Sequence, residues 1–148
     1  AWIYPVQEAV RLVGDSIEYS VKELPRCNPV SICGYHIRES GANPAQEIAC
    51  AFEIAKAYMD NVIERGMNDE DFVGRFSFNL NVFGNLWEQI AKFRAARKLW
   101  AKMLREEYGV QDKKKLFLRG LFGGGGSGLL TQRFVFRSEC FLESALIV

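Results

Sequence analysis

Three groups of residues have the types and spacing to do chemistry. Tyr35 and His36 are adjacent at the end of a predicted strand, where an imidazole beside an aromatic ring can hydrogen-bond a carbonyl oxygen. Arg75 and Ser77 are two residues apart, so on a strand they would share one face and could bind a phosphate or an amide. A glycine-rich run at residues 123–128 could cradle a phosphate. These residues are compatible with binding a thioester and a phosphate group.

Each group also has an alternative interpretation. His36 could be a structural histidine that makes a local backbone hydrogen bond. Arg75 could be a surface arginine, and Ser77 an ordinary strand residue. The glycine run lacks the Lys-Ser/Thr ending of a P-loop and is not followed by a convincing helix, so it could be a flexible loop. The residues alone leave both interpretations open.

Three amphipathic helices and three strands are predicted to position these groups. Apolar residues recur at helical spacing over residues 6–24 and 85–108, and between an Asn43-Pro44 cap and Gly66. Short β-branched or alternating runs predict strands at 30–37, 75–82 and 115–122. One face of the strand at 75–82 would be polar. Tyr35 and His36 would lie at the carboxyl end of the first strand.

The order of these elements, α-β-α-β-α-β, favours a parallel sheet. Strand starts lie roughly 40 residues or more apart, which leaves room for a crossover helix between successive strands. Three strands do not close a barrel, which takes eight. In a parallel barrel, functional residues gather at the carboxyl ends of the strands. This arrangement would bring Tyr35, His36, Arg75, Ser77 and residues 119–128 to one mouth.

Composition limits the class of protein. The chain has 148 residues, with 49% hydrophobic and 25% charged, which is typical of one globular domain. A net charge of +1 with interspersed signs argues against a nucleic-acid surface or a polybasic membrane arm. Four cysteines at irregular spacing and a single histidine do not make a metal cluster. Free thiols and the absence of an apolar stretch long enough to span a membrane predict a cytoplasmic protein.

Residues 28–42, NPVSICGYHIRESGA, resemble a segment of the methylmalonyl-CoA mutase family with the pattern N-x-[IV]-S-I-S-G-Y-H-x-x-E-A-G-A. The resemblance continues in register through DFVGRFSF at residues 71–78 and IAKFRAARKLW at residues 90–100. It implies that residues 1–132 are an internal fragment of the catalytic barrel of the large subunit. The implied fold is α/β, a partial TIM (β/α)8 barrel of about three βα units preceded by a helix.

The resemblance also implies a chemistry and roles for individual residues. The family rearranges the carbon skeleton of a CoA thioester by a radical route that uses adenosylcobalamin. His36 would hydrogen-bond the thioester carbonyl and Tyr35 would shape the radical cavity, whereas Arg75 and Ser77 would contact CoA. Glu39 would lie near the adenosyl group. The cofactor would be bound mainly by a cobalamin-binding domain or small subunit outside this chain, in a hetero- or homodimeric complete enzyme.

Two segments depart from the family pattern. Residues 119–128 replace an R-x-H-x-Q-T-S-G stretch of the family, and residues 133–148 resemble none of it. We therefore predict a divergent tail at 133–148, frameshifted or disordered, and a fragment that is inactive alone. The alternatives are a small stand-alone CoA- or nucleotide-binding α/β module and a non-functional truncated product.

Overall fold

A computed structural model describes residues 3–124, which form three parallel strands and five helices, three of the helices lying between the first and second strands. The helices are α1 (Val6–Glu23), α2 (Gly34–Glu39), α3 (Pro44–Glu64), α4 (Asp69–Phe72) and α5 (Leu86–Glu106). The strands are β1 (Ser31–Cys33), β2 (Ser77–Asn81) and β3 (Gly120–Gly123). Two 3-10 turns, Val73–Arg75 and Lys113–Lys115, precede β2 and β3.

The strands form one sheet in the order β1-β2-β3, and both pairings are parallel. Phe78 is in register with Ile32 on one side and with Gly120 on the other. The structure therefore confirms an α/β chain with three parallel strands joined by helical crossovers. Closure of a barrel takes eight strands, so the TIM-barrel assignment stays a proposal.

Local sequence determines where the long helices begin. Asn43 and Gln46 form a reciprocal capping box, in which each side chain accepts a hydrogen bond from the backbone of the other, and Pro44 occupies the first turn of α3. Asn85 caps α5 by accepting from the Trp87 N–H at 2.9 Å. All three predicted long helices are confirmed, with boundaries shifted by one or two residues.

The core lies between one face of the sheet and the helices α3 and α5. Phe52 of α3, Phe78 of β2 and Trp100 of α5 form an aromatic triangle with ring centroids 4.9 to 5.6 Å apart. Leu80 faces the same side as Phe78 because side chains alternate along a strand. The opposite face of β2 carries polar side chains, as the alternating sequence predicted.

Three sequence expectations about the sheet are wrong in detail. β1 ends at Cys33 instead of residue 37, because the chain turns directly into α2 at Gly34. β3 begins at Gly120 instead of residue 115, because the Asp112 side chain caps a 3-10 turn just before it, accepting from the Lys114 N–H at 2.9 Å. Arg75 belongs to the 3-10 turn that precedes β2, so it is not on the strand.

Two further observations concern the chemistry of the chain as a whole. Cys27, Cys33 and Cys50 are free thiols, as predicted, whereas Cys140 lies outside the described residues. Between residues 3 and 124, every helix is too short or too polar to cross a bilayer. The glycine run is described only to Gly124, and the predicted tail at 133–148 lies outside the described residues.

Candidate functional site

The carboxyl end of the sheet carries the Tyr35-His36 pair on the short helix α2. Gly34 begins this helix and is buried against Leu80 and Glu47, so tightly that a Cβ atom there would lie 2.7 Å from Leu80 Cδ2. The close packing fixes the first residue of α2 beside β2. The two residues that follow, half-buried Tyr35 and exposed His36, are therefore presented at the carboxyl end of β1.

The His36 ring is available for a ligand. Its centroid lies 5.2 Å from that of Tyr35 in an edge-on arrangement with an interplanar angle of 65°. The backbone carbonyl of His36 accepts hydrogen bonds from Ser40, both from Oγ at 2.8 Å and from the N–H at 3.1 Å. The imidazole itself has no hydrogen-bond partner within residues 3–124. The local backbone bond that would make His36 a purely structural residue is thus missing from this part of the chain.

Glu39, the last residue of α2, is linked to the end of β2. Its Oε1 accepts a hydrogen bond from Asn81 Nδ2 at 2.7 Å. Glu39 is exposed, whereas Asn81 is 1% exposed. A carboxylate with one oxygen held by a buried amide and with access to solvent can accept hydrogen bonds from a ligand. The structure thus brings Glu39 to the same end of the sheet as Tyr35 and His36.

A buried ion pair lies behind Asn81. Glu47 of α3 and Lys92 of α5 meet at 3.0 Å, and their side chains are 0% and 2% exposed. Glu47 Oε1 accepts from the Asn81 backbone N–H at 2.8 Å, and Lys92 Nζ donates to the Asn81 carbonyl. Burial lowers the pKa of Lys92, and the attraction of Glu47 opposes that shift. Charged groups therefore hold the strand end from within the core.

The amino end of the sheet carries Arg75 and Ser77. Arg75 donates from Nη1 to the Ser20 carbonyl at 2.9 Å and from Nη2 to the Leu24 carbonyl at 3.1 Å. Ser20 lies in the last turn of α1 and Leu24 is its C-cap, and each of these carbonyls also accepts a backbone N–H, from Leu24 at 3.1 Å and from Cys27 at 3.0 Å. Arg75 therefore fastens α1 to the turn before β2, and its half-buried guanidinium borders a cleft.

The cleft at the amino end has a volume of about 700 Å³ and is lined by three arginines, Arg26, Arg75 and Arg119. Ser77 lies in its wall, and its hydroxyl donates to the amide oxygen of Asn28 at 2.5 Å once the amide is oriented to donate to the Val30 carbonyl. Guanidinium groups are well suited to phosphate, which they can bind bidentately. The cleft can accordingly bind an anionic ligand such as a phosphate ester.

The expectation that all these residues share one mouth is wrong. Tyr35, His36 and Glu39 lie at the carboxyl end of the sheet, whereas Arg75 and Ser77 lie at its amino end. The reason is the position of Arg75, which precedes β2 in a 3-10 turn, and of Ser77, which is the first residue of that strand. The site residues therefore form two groups separated by the length of β2.

Sequence reasoning did not single out Asn81, Glu47 and Lys92, which form contacts next to the candidate residue Glu39. A signal was present: Lys92 lies on the same helical stripe as the buried residues Phe93 and Ala96, where a charge is costly without a partner. Glu47 likewise interrupts the apolar stripe of α3. Neither signal identifies the partner, because Glu47 and Lys92 are 45 residues apart in the sequence.

Comparison with known proteins identifies the family of proteins to which this arrangement belongs. Strand ends rich in polar groups on a parallel βα framework are where α/β enzymes bind their ligands. The sequence model of the methylmalonyl-CoA mutase family matches residues 1–135. The chain belongs to the methylmalonyl-CoA mutase family.

Its relatives are named as mutases of several CoA esters, and mutases are isomerases. The 2-hydroxyisobutanoyl-CoA mutase large subunit of Aquincola tertiaricarbonis is 40% identical over 80% of the chain and 21% of that protein. A methylmalonyl-CoA mutase of Cereibacter sphaeroides is 43% identical over 80% of the chain and 16% of that protein. An ethylmalonyl-CoA mutase of Methylorubrum extorquens is 36% identical over 80% of the chain and 18% of that protein. The chain spans about a fifth or less of the length of these relatives.

Proposed function

We propose that this chain is part of the substrate-binding barrel of an adenosylcobalamin-dependent acyl-CoA mutase and binds a CoA ester along its sheet. The observation that carries the proposal is the separation of the two site groups. A group suited to a thioester carbonyl lies at the carboxyl end of the strands, and a cleft suited to a phosphate lies at the amino end. Family membership supports the choice of a CoA ester, which contains both chemical groups.

The ligand would extend along β2 between these two groups. Four residue steps separate Ser77 from Asn81, which corresponds to about 13 Å at 3.3 Å a residue. The linking arm of CoA, an extended chain with amide groups, has the length and polarity to follow this path. Ser77 and Asn79, on the face of β2 away from the helices, are half-exposed and can hydrogen-bond such amides.

The residues at the carboxyl end would orient the reacting part of the ester. The exposed His36 imidazole would donate a hydrogen bond to the thioester carbonyl, and the Tyr35 ring would form an adjoining wall. The Glu39 carboxylate, held by Asn81, fits an acceptor for hydroxyl groups of an adenosyl moiety. Adenosylcobalamin, when bound, supplies the radical that initiates rearrangement of the carbon skeleton. Its main binding site would lie in a cobalamin-binding domain or small subunit.

The proposed barrel assigns residues 1–132 to one βα domain and residues 133–148 to a separate tail. All-parallel sheets are normally covered on both faces. In residues 3–124 the long helices α3 and α5 pack on one face of the sheet, which supports further strands or domains over the other.

We propose that the chain alone does not turn over substrate. The complete enzyme would be a cytoplasmic hetero- or homodimer, and a separate partner chain is supported by one relative, which is named as the large subunit of a mutase.

Calorimetric titration of the full chain with CoA and with propionyl-CoA tests both ends of the site. Ser77→Ala should weaken CoA binding about fivefold, as expected for one lost hydrogen bond of about 1 kcal/mol. Arg75→Ala should weaken it tenfold or more, because a charged donor is lost. Arg94→Ala, which removes an exposed arginine of α5, is the matched control. Unchanged affinity in both site variants would contradict the proposed CoA position.

His36→Ala separates the proposed mutase fragment from a stand-alone CoA- or nucleotide-binding module, which the arginine-lined cleft also favours. In the mutase fragment, this change should weaken propionyl-CoA several-fold and leave CoA unchanged, since only the ester has a carbonyl for the imidazole. In a stand-alone module, both ligands should bind as in the wild type. Circular dichroism of each variant verifies that the fold is retained.

A further inference from the structure

The Glu47–Lys92 pair makes the backbone hydrogen bonds at Asn81 that β1 is too short to make. Along β2, Phe78 and Val82 donate their N–H groups toward β3, to Arg119 and Gly123. The backbone N–H of Ser77 points the other way and donates to the Val30 carbonyl at 3.3 Å. The backbone N–H groups of the odd-numbered residues of β2 are therefore directed toward β1. β1 ends at Cys33, opposite Asn79, and offers nothing to Asn81.

Side chains supply the missing partners of Asn81. Glu47 accepts from its N–H at 2.8 Å and Lys92 donates to its carbonyl. Taking two charges out of water is costly, and well-packed apolar residues in place of a buried ion pair are often equally stabilising. Stability alone is therefore a weak reason for charges at this position, whereas the directionality of hydrogen bonds would hold the strand end in one orientation.

The side chain of Asn81 connects this arrangement to α2. Its Nδ2 donates to Glu39 at 2.7 Å, and its Oδ1 is buried without a hydrogen-bond partner in the described part of the chain. The Glu39 bond therefore sets the orientation of the amide. Since Glu39 is the last residue of α2 and Gly34 is packed at its first residue, both ends of this short helix are fixed. Tyr35 and His36 lie between them.

We propose that Glu47 and Lys92 are positioning residues for the carboxyl-end site: they hold Asn81, and Asn81 holds Glu39 and the helix that presents Tyr35 and His36. The importance of this arrangement for catalysis rests on the proposed function. The positioning itself is a property of the ligand-free chain. It can be tested without any substrate.

The test is a comparison of NMR spectra of the ligand-free wild type and the double variant Glu47→Gln/Lys92→Met, which removes both charges together. We expect the side-chain NH2 signals of Asn81, the carboxyl carbon signal of Glu39 and the amide signals of Gly34–Glu39 to shift. The side-chain NH2 signals of Asn79, on the same face of β2 and two residues earlier, should stay in place as an internal control. Wild-type positions for the Asn81 and Glu39 signals would overturn the proposal.

A second variant tests the link through Asn81 and protects the result against loss of folding in the first. Asn81→Ala should shift the Glu39 and α2 signals, whereas Asn79→Ala should leave them unchanged. Equal effects of the two alanine substitutions would overturn the proposal, because the specific Asn81–Glu39 bond would then not matter. Urea titrations of all variants show whether a shift accompanies a general loss of stability.

Titration with propionyl-CoA then distinguishes the positioning role from the proposed function. If the positioning role and the function both hold, the ester shifts the His36 ring signals in the wild type and shifts them at least threefold less in the double variant. If the ester does not bind the wild-type chain, the proposed function fails and the ligand-free spectra still decide the positioning role. Equal His36 shifts in both proteins would overturn a role for the ion pair in the site.

Discussion

The two ends of the sheet are held together in different ways. At the carboxyl end, a buried ion pair, a buried asparagine and a glycine without room for a side chain fix the helix that carries Tyr35 and His36. At the amino end, half-exposed arginine and serine side chains line an open cleft of about 700 Å³. The difference suggests a division of tasks. A rigid end suits orientation of a reacting group, and an exposed cationic end suits capture of an anionic ligand.

The largest expected difference between the two ends is in the free energy of unfolding when the lysine of an ion pair at each end is replaced by methionine. Lys92→Met leaves Glu47 buried without its partner and should lower the free energy of unfolding by about 3–5 kcal/mol. Lys115→Met breaks the pair with Glu70, a 3.1 Å contact near the amino end whose side chains are 29% and 39% exposed, and should cost about 1 kcal/mol or less. Urea unfolding measures both, and similar losses would contradict the contrast.

A smaller difference is expected for two glycines. Gly34→Ala should lower the free energy of unfolding by about 1–3 kcal/mol, because its Cβ would lie 2.7 Å from the buried Leu80 side chain. Gly74→Ala, in the turn before β2, would meet the flexible Lys115 side chain at 3.3 Å, which can move aside. We expect Gly74→Ala to lower the free energy of unfolding clearly less than Gly34→Ala does. A greater loss for Gly74→Ala in the same urea experiment would show that the carboxyl end is the more tolerant one.

The smallest expected effect is a loss of stability at alkaline pH that arises from Tyr108, near the amino end of the sheet. Burial raises the pKa of Tyr108, and a 2.7 Å hydrogen bond to Asp60 raises it further. A raised folded-state pKa contributes stability that is present below pH 10 and is lost as the pH rises toward the folded-state value. The wild type should therefore lose about 1 kcal/mol more than Tyr108→Phe between pH 8 and pH 11 in urea unfolding. Tyr19→Phe, at an exposed position, should match the wild type.

The sequence was sufficient for the long helices and for the order of the strands. Periodic apolar residues determine α1, α3 and α5, and the Asn43 and Asn85 caps mark where two of them begin. The short elements were less predictable. Residues 34–37 were predicted to end a strand, but Gly34 packs against Leu80 and Glu47, and the chain turns into a helix there. Tertiary packing, which no local pattern reports, decided that boundary.

The site was only partly predictable for the same reason. Tyr35 and His36 are neighbours in the sequence, so their proximity could be predicted without knowledge of the fold. The separation of Arg75 and Ser77 from them depended on where β2 begins. The Glu47–Lys92 contact joins two helices and became visible only in the folded chain. Sequence patterns thus identified individual candidate residues, whereas their grouping into two ends came from the structure.

The polar face of β2 also has a thermodynamic consequence. Ser77 and Asn79 are half-exposed and face away from the helices, so a ligand lying along them would cover mainly polar surface. Removing apolar surface from water gives the negative heat-capacity change of binding, and polar surface contributes in the opposite direction. Association with a CoA ester along this strand should therefore show a small heat-capacity change, and its enthalpy should vary little with temperature.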